Sequence, residues 1–204
     1  MSRRTANIGR HYFEELYTRD PDPWRFGSSP YEREKYAASL SALPRQTYEC
    51  GLEVGCSIGI FTRMLAQRCG SLLAIDVAEA ALAQARINCP MPNVIFENRT
   101  IPSEWPPGRF DLIVLSEVLY YLDRATVARV ARQACDSLSQ SGGTILLVHY
   151  LGETDYPLTG DQAAGIFMDT AGMLPTHVAR TQDYRIDVLE SGAFAQGPAA
   201  PDGE

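Results

Sequence analysis

The chain has no apolar run approaching the roughly twenty residues that a membrane-spanning helix needs. Its opening residues, Met1-Ser2-Arg3-Arg4-Thr5, lack the apolar stretch of a signal peptide. Both absences predict a cytoplasmic protein with no membrane partner. The five cysteines, at 50, 56, 69, 89 and 135, contain no Cys-x-x-Cys pair and are odd in number. They read as reduced core thiols rather than a disulfide frame or a zinc site. The histidines and acids show no ligand spacing, so no metal is expected. Basic charge is also short: the net charge is −7 and the pI about 5.0. Nucleic-acid binding needs a basic face, so that partner is excluded, and a small neutral or cationic substrate suits the balance better. There are no internal repeats, and no obligate protein partner is evident.

What is present begins with Gly51-Leu52-Glu53-Val54-Gly55-Cys56-Ser57-Ile58-Gly59, followed by Leu73-Ala74-Ile75-Asp76. An apolar strand enters a turn of small residues, a helix follows, and a second apolar strand ends on an acid. Gly55 can take backbone angles closed to other residues and lets a ligand approach the main chain. Asp76 stands where an acid can accept from both hydroxyls of a ribose. The pattern reads as a site for S-adenosylmethionine (SAM). Two other readings compete. A dinucleotide-binding fold would need Gly-x-Gly-x-x-Gly, whereas Ser57 replaces the middle glycine and Glu53 would repel a pyrophosphate. An acid there suits the ammonium of a methionine moiety. Gly55-Cys56-Ser57-Ile58-Gly59 also matches the Gly-x-Ser-x-Gly elbow of a hydrolase, with His149 and His177 as possible bases.

With 204 residues the chain is long enough for one domain with a sizeable core. That domain is expected over 1–191. Residues 192–204, rich in Gly, Pro and Ala, read as a disordered tail. Helical spacing predicts helices over Ala6–Arg19 and Tyr31–Leu43, the second capped by Ser29-Pro30 and stopped by Pro44. The first 45 residues form a helical lid over the mouth of the site in this reading. Strands are predicted at 51–54, 71–76, 94–97, 110–115 and 143–150. Helices are predicted near 59–69, 78–88, 124–139 and 161–172, with a closing hairpin at Thr176–Thr181 and Tyr184–Glu190. Alternating strands and helices imply an α/β, Rossmann-like fold with a mostly parallel sheet.

Ligands of such sheets bind beyond the carboxyl ends of the strands. Candidate cofactor contacts are therefore Glu53, Gly55 and Cys56 from the first strand and Asp76 and Val77 from the second. The third strand offers Asn98, Arg99, Thr100 and Ile101, with an amide or backbone N–H for an adenine edge and Ile101 for its face. The fourth delivers Ser116 and Glu117, then Tyr120 and Tyr121, and the fifth His149 and Tyr150. Each has a plainer reading: close packing for Gly55 and Gly59, a helix cap for Asp76, a turn for Asn98, and a structural role for Asp111. Core packing is the plainer role of Tyr120, Tyr121 and a buried His149.

Leu52–Gly59, Asp76 and Phe110–Leu122 together resemble class I SAM-dependent methyltransferases. More narrowly, Pro23–Phe26, Ser29–Tyr36 and Ser116–Tyr121 look like the rhizobial nodulation N-methyltransferases, the NodS family. The likeness runs from about Tyr12 to Glu190, and departs from the class at Cys56-Ser57-Ile58, where many members have another glycine. It implies a seven-stranded sheet with an antiparallel C-terminal strand and SAM as methyl donor. The implied acceptor is the free amine of the deacetylated, non-reducing terminal glucosamine of a chitooligosaccharide, during Nod factor synthesis. An O-methyltransferase or a non-catalytic SAM-binding module are the rival readings. Glu117, Tyr120 and His149 are the candidates for orienting the amine or taking its proton. Arg33 is proposed to pair with the cofactor carboxylate, its alternative being a surface salt bridge with Glu32 or Glu34. Trp24, Tyr121 and Tyr150 are proposed walls of the acceptor cleft, though Trp24 could simply anchor the N-terminal segment.

Overall fold

The computed structural model describes residues 3–192. The stretch read as a tail lies almost wholly outside them. Helix α1 (Arg10–Arg19) and helix α2 (Pro30–Ala42) precede β1 (Tyr48–Val54). Then come α3 (Ile60–Leu65), β2 (Cys69–Asp76), α4 (Glu79–Asn88), β3 (Val94–Asn98), β4 (Leu112–Ser116) and α5 (Arg124–Asp136). The chain closes with β5 (Gly143–Tyr150), α6 (Gly160–Ala171), β6 (Pro175–Arg180) and β7 (Tyr184–Ser191). The strands form one seven-stranded sheet in the order β3-β2-β1-β4-β5-β7-β6. β7 is antiparallel to β5 and to β6; β1 to β5 run parallel.

The central strands are apolar on both faces because helices cover both. Along β4 and β5, Ile113, Leu115, Ile145 and Leu147 pack on one side with Val127, Val130 and Ala134 of α5 and Phe167 of α6. Leu112, Val114, Leu146 and Val148 pack on the other with Tyr36 of α2 and Phe61 and Leu65 of α3. The period of two along each strand thus divides the core into two layers.

Two boundaries differ from expectation, each for a local reason. α3 is short, and Ala66–Arg68 tighten into a 3-10 turn before β2. Phe110 forms only an isolated bridge with Leu138, so β4 begins at Leu112. Asp111 beside it accepts from Glu49 N and Cys50 N, both at 2.9 Å, and pairs with Arg45. This tie between the starts of β1 and β4 makes Asp111 structural, as its plainer reading held. Ser29 caps α2 by accepting from Glu32 N, with Pro30 in the first turn.

Candidate active site

A cavity of about 500 Å³ opens beyond the carboxyl ends of β1, β2 and β4. At the end of β1 the chain turns sharply. Gly55 N and Cys56 N both donate to Ile75 O, at 2.8 and 3.0 Å. Gly55 has φ +78, and a Cβ there would stand 2.2 Å from Val118 Cγ2. Only glycine serves at this step. Gly59 also has φ +78, and its missing Cβ makes room for the backbone of Ala85 on α4.

Asp76 ends β2 on the cavity wall. Its Oδ2 accepts from Ser57 N and its Oδ1 from Ala78 N, both at 2.9 Å. The acid therefore fixes the β1 turn and the approach to α4 while each oxygen keeps a second lone pair for a ligand. Burial pushes its carboxyl up to about 6 against those backbone donors. Glu53 lies deeper, 2% exposed, with Oε2 lacking any hydrogen-bond partner. Burial pushes it up to about 7.

The opposite wall is built by the N-terminal helices and the segment between them, with Phe13, Tyr17, Trp24 and Tyr31 on it. Tyr17 Oη meets Ser57 Oγ at 2.5 Å, and Glu14 accepts from Glu79 N and Ala80 N at the start of α4. These contacts fasten α1 across the β1 and β2 ends. Ser57 shares its hydroxyl with Tyr17, and no histidine stands beside it as an elbow would require. His149 lies off the cavity, and His11 and His177 are exposed.

Where β4 ends, Glu117 adopts a left-handed backbone, φ +58. Such strain at a non-glycine residue marks a candidate functional position. Its Oε1 accepts from Lys35 Nζ at 2.6 Å, and its Oε2 accepts from Tyr120 Oη at 2.7 Å and Tyr150 N at 2.9 Å. Lys35 is 2% exposed and also pairs with Glu32, at 3.1 and 3.0 Å. Its two carboxylates hold the ammonium's proton affinity above normal, although burial opposes this.

Of the expected cofactor residues, Glu53, Gly55, Cys56, Asp76, Val77, Arg99, Thr100, Ile101 and Ser116 lie on the wall. So do Glu117, Tyr120, Trp24, Tyr121 and Tyr150. Three do not. Asn98 spends its amide on Asp76 O and Val77 O, and its Oδ1 accepts from Arg10, so it ties β3 to the β2 loop. Arg33 is exposed and donates to Ser28 O at 3.0 Å; an α2 residue on that side of the helix faces solvent. His149 is 0% exposed, with both ring nitrogens unpartnered and its ring 5.9 Å from that of Tyr120. Burial drops it to about 4, leaving a neutral core imidazole that does not reach the cavity. Missed from the sequence were Arg10, Tyr31, Glu32, Lys35 and Tyr156. Lys35 did carry a signal: it is the only lysine among 204 residues.

The residues fit SAM. Glu53 offers an orphaned carboxylate oxygen to an ammonium, Asp76 keeps free lone pairs, and Gly55 removes the side chain that would fill the turn. Glu32, Glu53, Asp76 and Glu117 face the cavity, with Lys35 as the one buried cation on the wall. Arg10 is exposed and Arg99 half-buried, and they are paired with Glu104 and Glu97. The interior is therefore negative and favours a cationic ligand.

Comparison with known proteins agrees. The Nodulation protein S (NodS) family model matches residues 10–149. Nodulation protein S of Rhizobium tropici is 38% identical over 115 residues, which are 54% of this chain and 47% of that protein. The Ubiquinone biosynthesis O-methyltransferase of Pseudomonas aeruginosa is 37% identical over 101 residues, 47% of this chain and 42% of that protein. These alignments span about half the length of the relatives. The structure of N-methyltransferase NodS from Bradyrhizobium japonicum WM9 in complex with S-adenosyl-L-homocysteine superposes with a TM-score of 0.78. It is 24% identical and covers 90% of this chain and 98% of that one, so it shares the fold. Among the described residues no helix is long and apolar enough to cross a membrane.

Proposed function

The chain belongs to the Nodulation protein S (NodS) family, and from that membership we propose that it is a SAM-dependent N-methyltransferase. Its proposed acceptor is the free amine of the non-reducing terminal, deacetylated glucosamine of a chitooligosaccharide, in Nod factor synthesis. The observation that carries this reading is the negative cavity with the orphaned carboxylate of Glu53, which suits a cationic donor and an amine acceptor together. SAM supplies an activated methyl group on a sulfonium, a good leaving group. The protein's task is mainly alignment, for which fixed geometry contributes about 7–11 kcal/mol.

Glu53 binds the cofactor ammonium in this reading, and Asp76 accepts from the ribose hydroxyls with its spare lone pairs. Val77 and Ile101 offer apolar cover to the adenine. On the other side, Glu117 holds Lys35 and Tyr120 in place, and Tyr121, Tyr150 and Trp24 give aromatic faces to a sugar.

The similarity to an O-methyltransferase favours one rival, a hydroxyl acceptor. Incubation with methyl-labelled SAM separates the two. Label should pass to a chitooligosaccharide bearing a free terminal amine and not to its fully N-acetylated counterpart, which keeps the same ring hydroxyls. Transfer to both would replace the amine with a hydroxyl. Failure of S-adenosylhomocysteine to bind in calorimetry would remove the methyltransferase reading altogether.

A further inference from the structure

The two acids that grip Lys35 are not equivalent. Glu117 uses both oxygens on three donors: Lys35 Nζ, Tyr120 Oη and Tyr150 N. It is a fixed carboxylate, with one lone pair left on Oε1. Glu32 receives one hydrogen bond, from Lys35 to Oε1 at 3.1 Å. Its Oε2 is ion-paired with the same ammonium at 3.0 Å but accepts no hydrogen bond. Glu32 is 7% exposed, faces the cavity, and has its proton affinity raised, burial outweighing Lys35. The adjacent Tyr31 hydroxyl is likewise buried without a partner, on the same wall. Buried polar atoms without partners are rare and call for an explanation. An N–H donor from a ligand would satisfy the carboxylate oxygen, and a hydroxyl would satisfy Tyr31. Glu53 cannot serve the acceptor as well, since it is assigned to the cofactor.

Resting on the amine-acceptor reading above, we infer that Glu32 receives the acceptor's ammonium and removes its proton, while Tyr31 Oη pairs with the adjacent hydroxyl of a vicinal amino alcohol. One proton passes from the ammonium to Glu32 Oε2. The lone pair so freed forms the N–C bond as the C–S bond breaks, and the C–S electron pair stays on sulfur. The products are a secondary methylammonium and S-adenosylhomocysteine, and Glu32 returns its proton to solvent. Glu117 is a positioning residue in this arrangement: it fixes Lys35, which in turn fixes Glu32. Hydroxyl adjacency makes a 2-amino sugar a better acceptor than a simple alkylamine.

The test uses calorimetry on the full-length protein saturated with S-adenosylhomocysteine, with a chitooligosaccharide carrying a free terminal amine and its fully acetylated twin as probes. The parent should bind the amine form more tightly. Glu32→Gln should weaken that form at least tenfold while S-adenosylhomocysteine affinity stays within about twofold. Its turnover should fall at least tenfold at pH 7 and recover toward about pH 9.5, where the free amine has lost its proton unaided. Tyr31→Phe should weaken the same probe several-fold without moving the pH profile. Unchanged amine affinity and an unchanged profile in Glu32→Gln would overturn the assignment. Should Glu32→Gln fail to bind S-adenosylhomocysteine, Glu32→Asp decides: retained turnover with a raised acceptor KM supports it, and joint loss of turnover and cofactor binding overturns it. A parent that binds the amine probe through Glu32 but transfers no methyl leaves the ammonium site standing and sinks the methyltransferase reading. A parent that binds the two oligosaccharides equally sinks the amine reading itself.

Discussion

The β1–β2 end and the β4–β5 end of the cavity are held by opposite means. At the β1–β2 end the chain grips itself through backbone: Gly55 N and Cys56 N on Ile75 O, and Asp76 on Ser57 N and Ala78 N. At the β4–β5 end it relies on buried charge, with Lys35 joining Glu32 and Glu117 and Tyr120 completing the set. A backbone cradle needs specific residues within a short stretch. A charge cluster needs only that its members meet in space. The first rests mainly on backbone groups, with Asp76 as its charged member, and the second stands or falls with its charges.

The largest effect expected should fall on the second. Lys35→Ala leaves two carboxylates buried without their cation, and breaking a buried pair in this way costs about 3–5 kcal/mol. Chemical denaturation should show that loss; a change below about 1 kcal/mol would mean that water already reaches the cluster.

His149 sharpens the contrast next, because it lies behind the charged end. Its folded-state value of about 4 is below the ordinary 6.5, so the unfolded chain binds the extra proton between those values. Its stabilising effect is therefore complete above about pH 6.5 and is lost as pH falls toward 4, up to about 3 kcal/mol. His149→Leu should flatten that part of the stability–pH curve.

At the backbone-held end, Asp76→Ala should weaken SAM binding by about 1.5–3 kcal/mol, the scale of hydrogen bonds to a charged group. Calorimetry at pH 8 measures it, with circular dichroism confirming the fold. Equal affinity would move the ribose elsewhere.

A smaller effect follows from Glu53, raised to about 7. A cation needs it ionised, so SAM affinity should fall about tenfold from pH 8 to pH 6, and binding near pH 7 should release protons. Titrations in buffers of different ionisation enthalpy count those protons. The smallest effect belongs to Arg33→Ala, expected within about 0.5 kcal/mol in both stability and SAM affinity, as for an exposed side chain.

The same contrast explains what was legible in the sequence. The order of strands and helices, the β1 turn and Asp76 were readable because period, small residues and spacing are local properties. Glu117 was readable as a strand-end acid, but its partner Lys35 lies 82 positions away, and no spacing rule joins them. Lys35 and Glu32 are a turn apart on α2 and look like an ordinary surface pair until the helix is docked. Asn98 and His149 were misplaced for a different reason. A strand-end position says that a residue is near the ligand edge, not which way its side chain turns. The Asn98 amide turned to nearby carbonyls, and the His149 ring turned into the core.

Having its only lysine in that cluster gives the protein an internal reporter. Apart from the terminal amine, an amine-specific acylating reagent has one side chain to modify, and in the native state it is 2% exposed and ion-paired on both sides. Modification must await an opening that parts α2 from the end of β4. The rate at which Lys35 becomes acylated therefore counts those openings directly, and an acceptor that seals the chamber should slow the count.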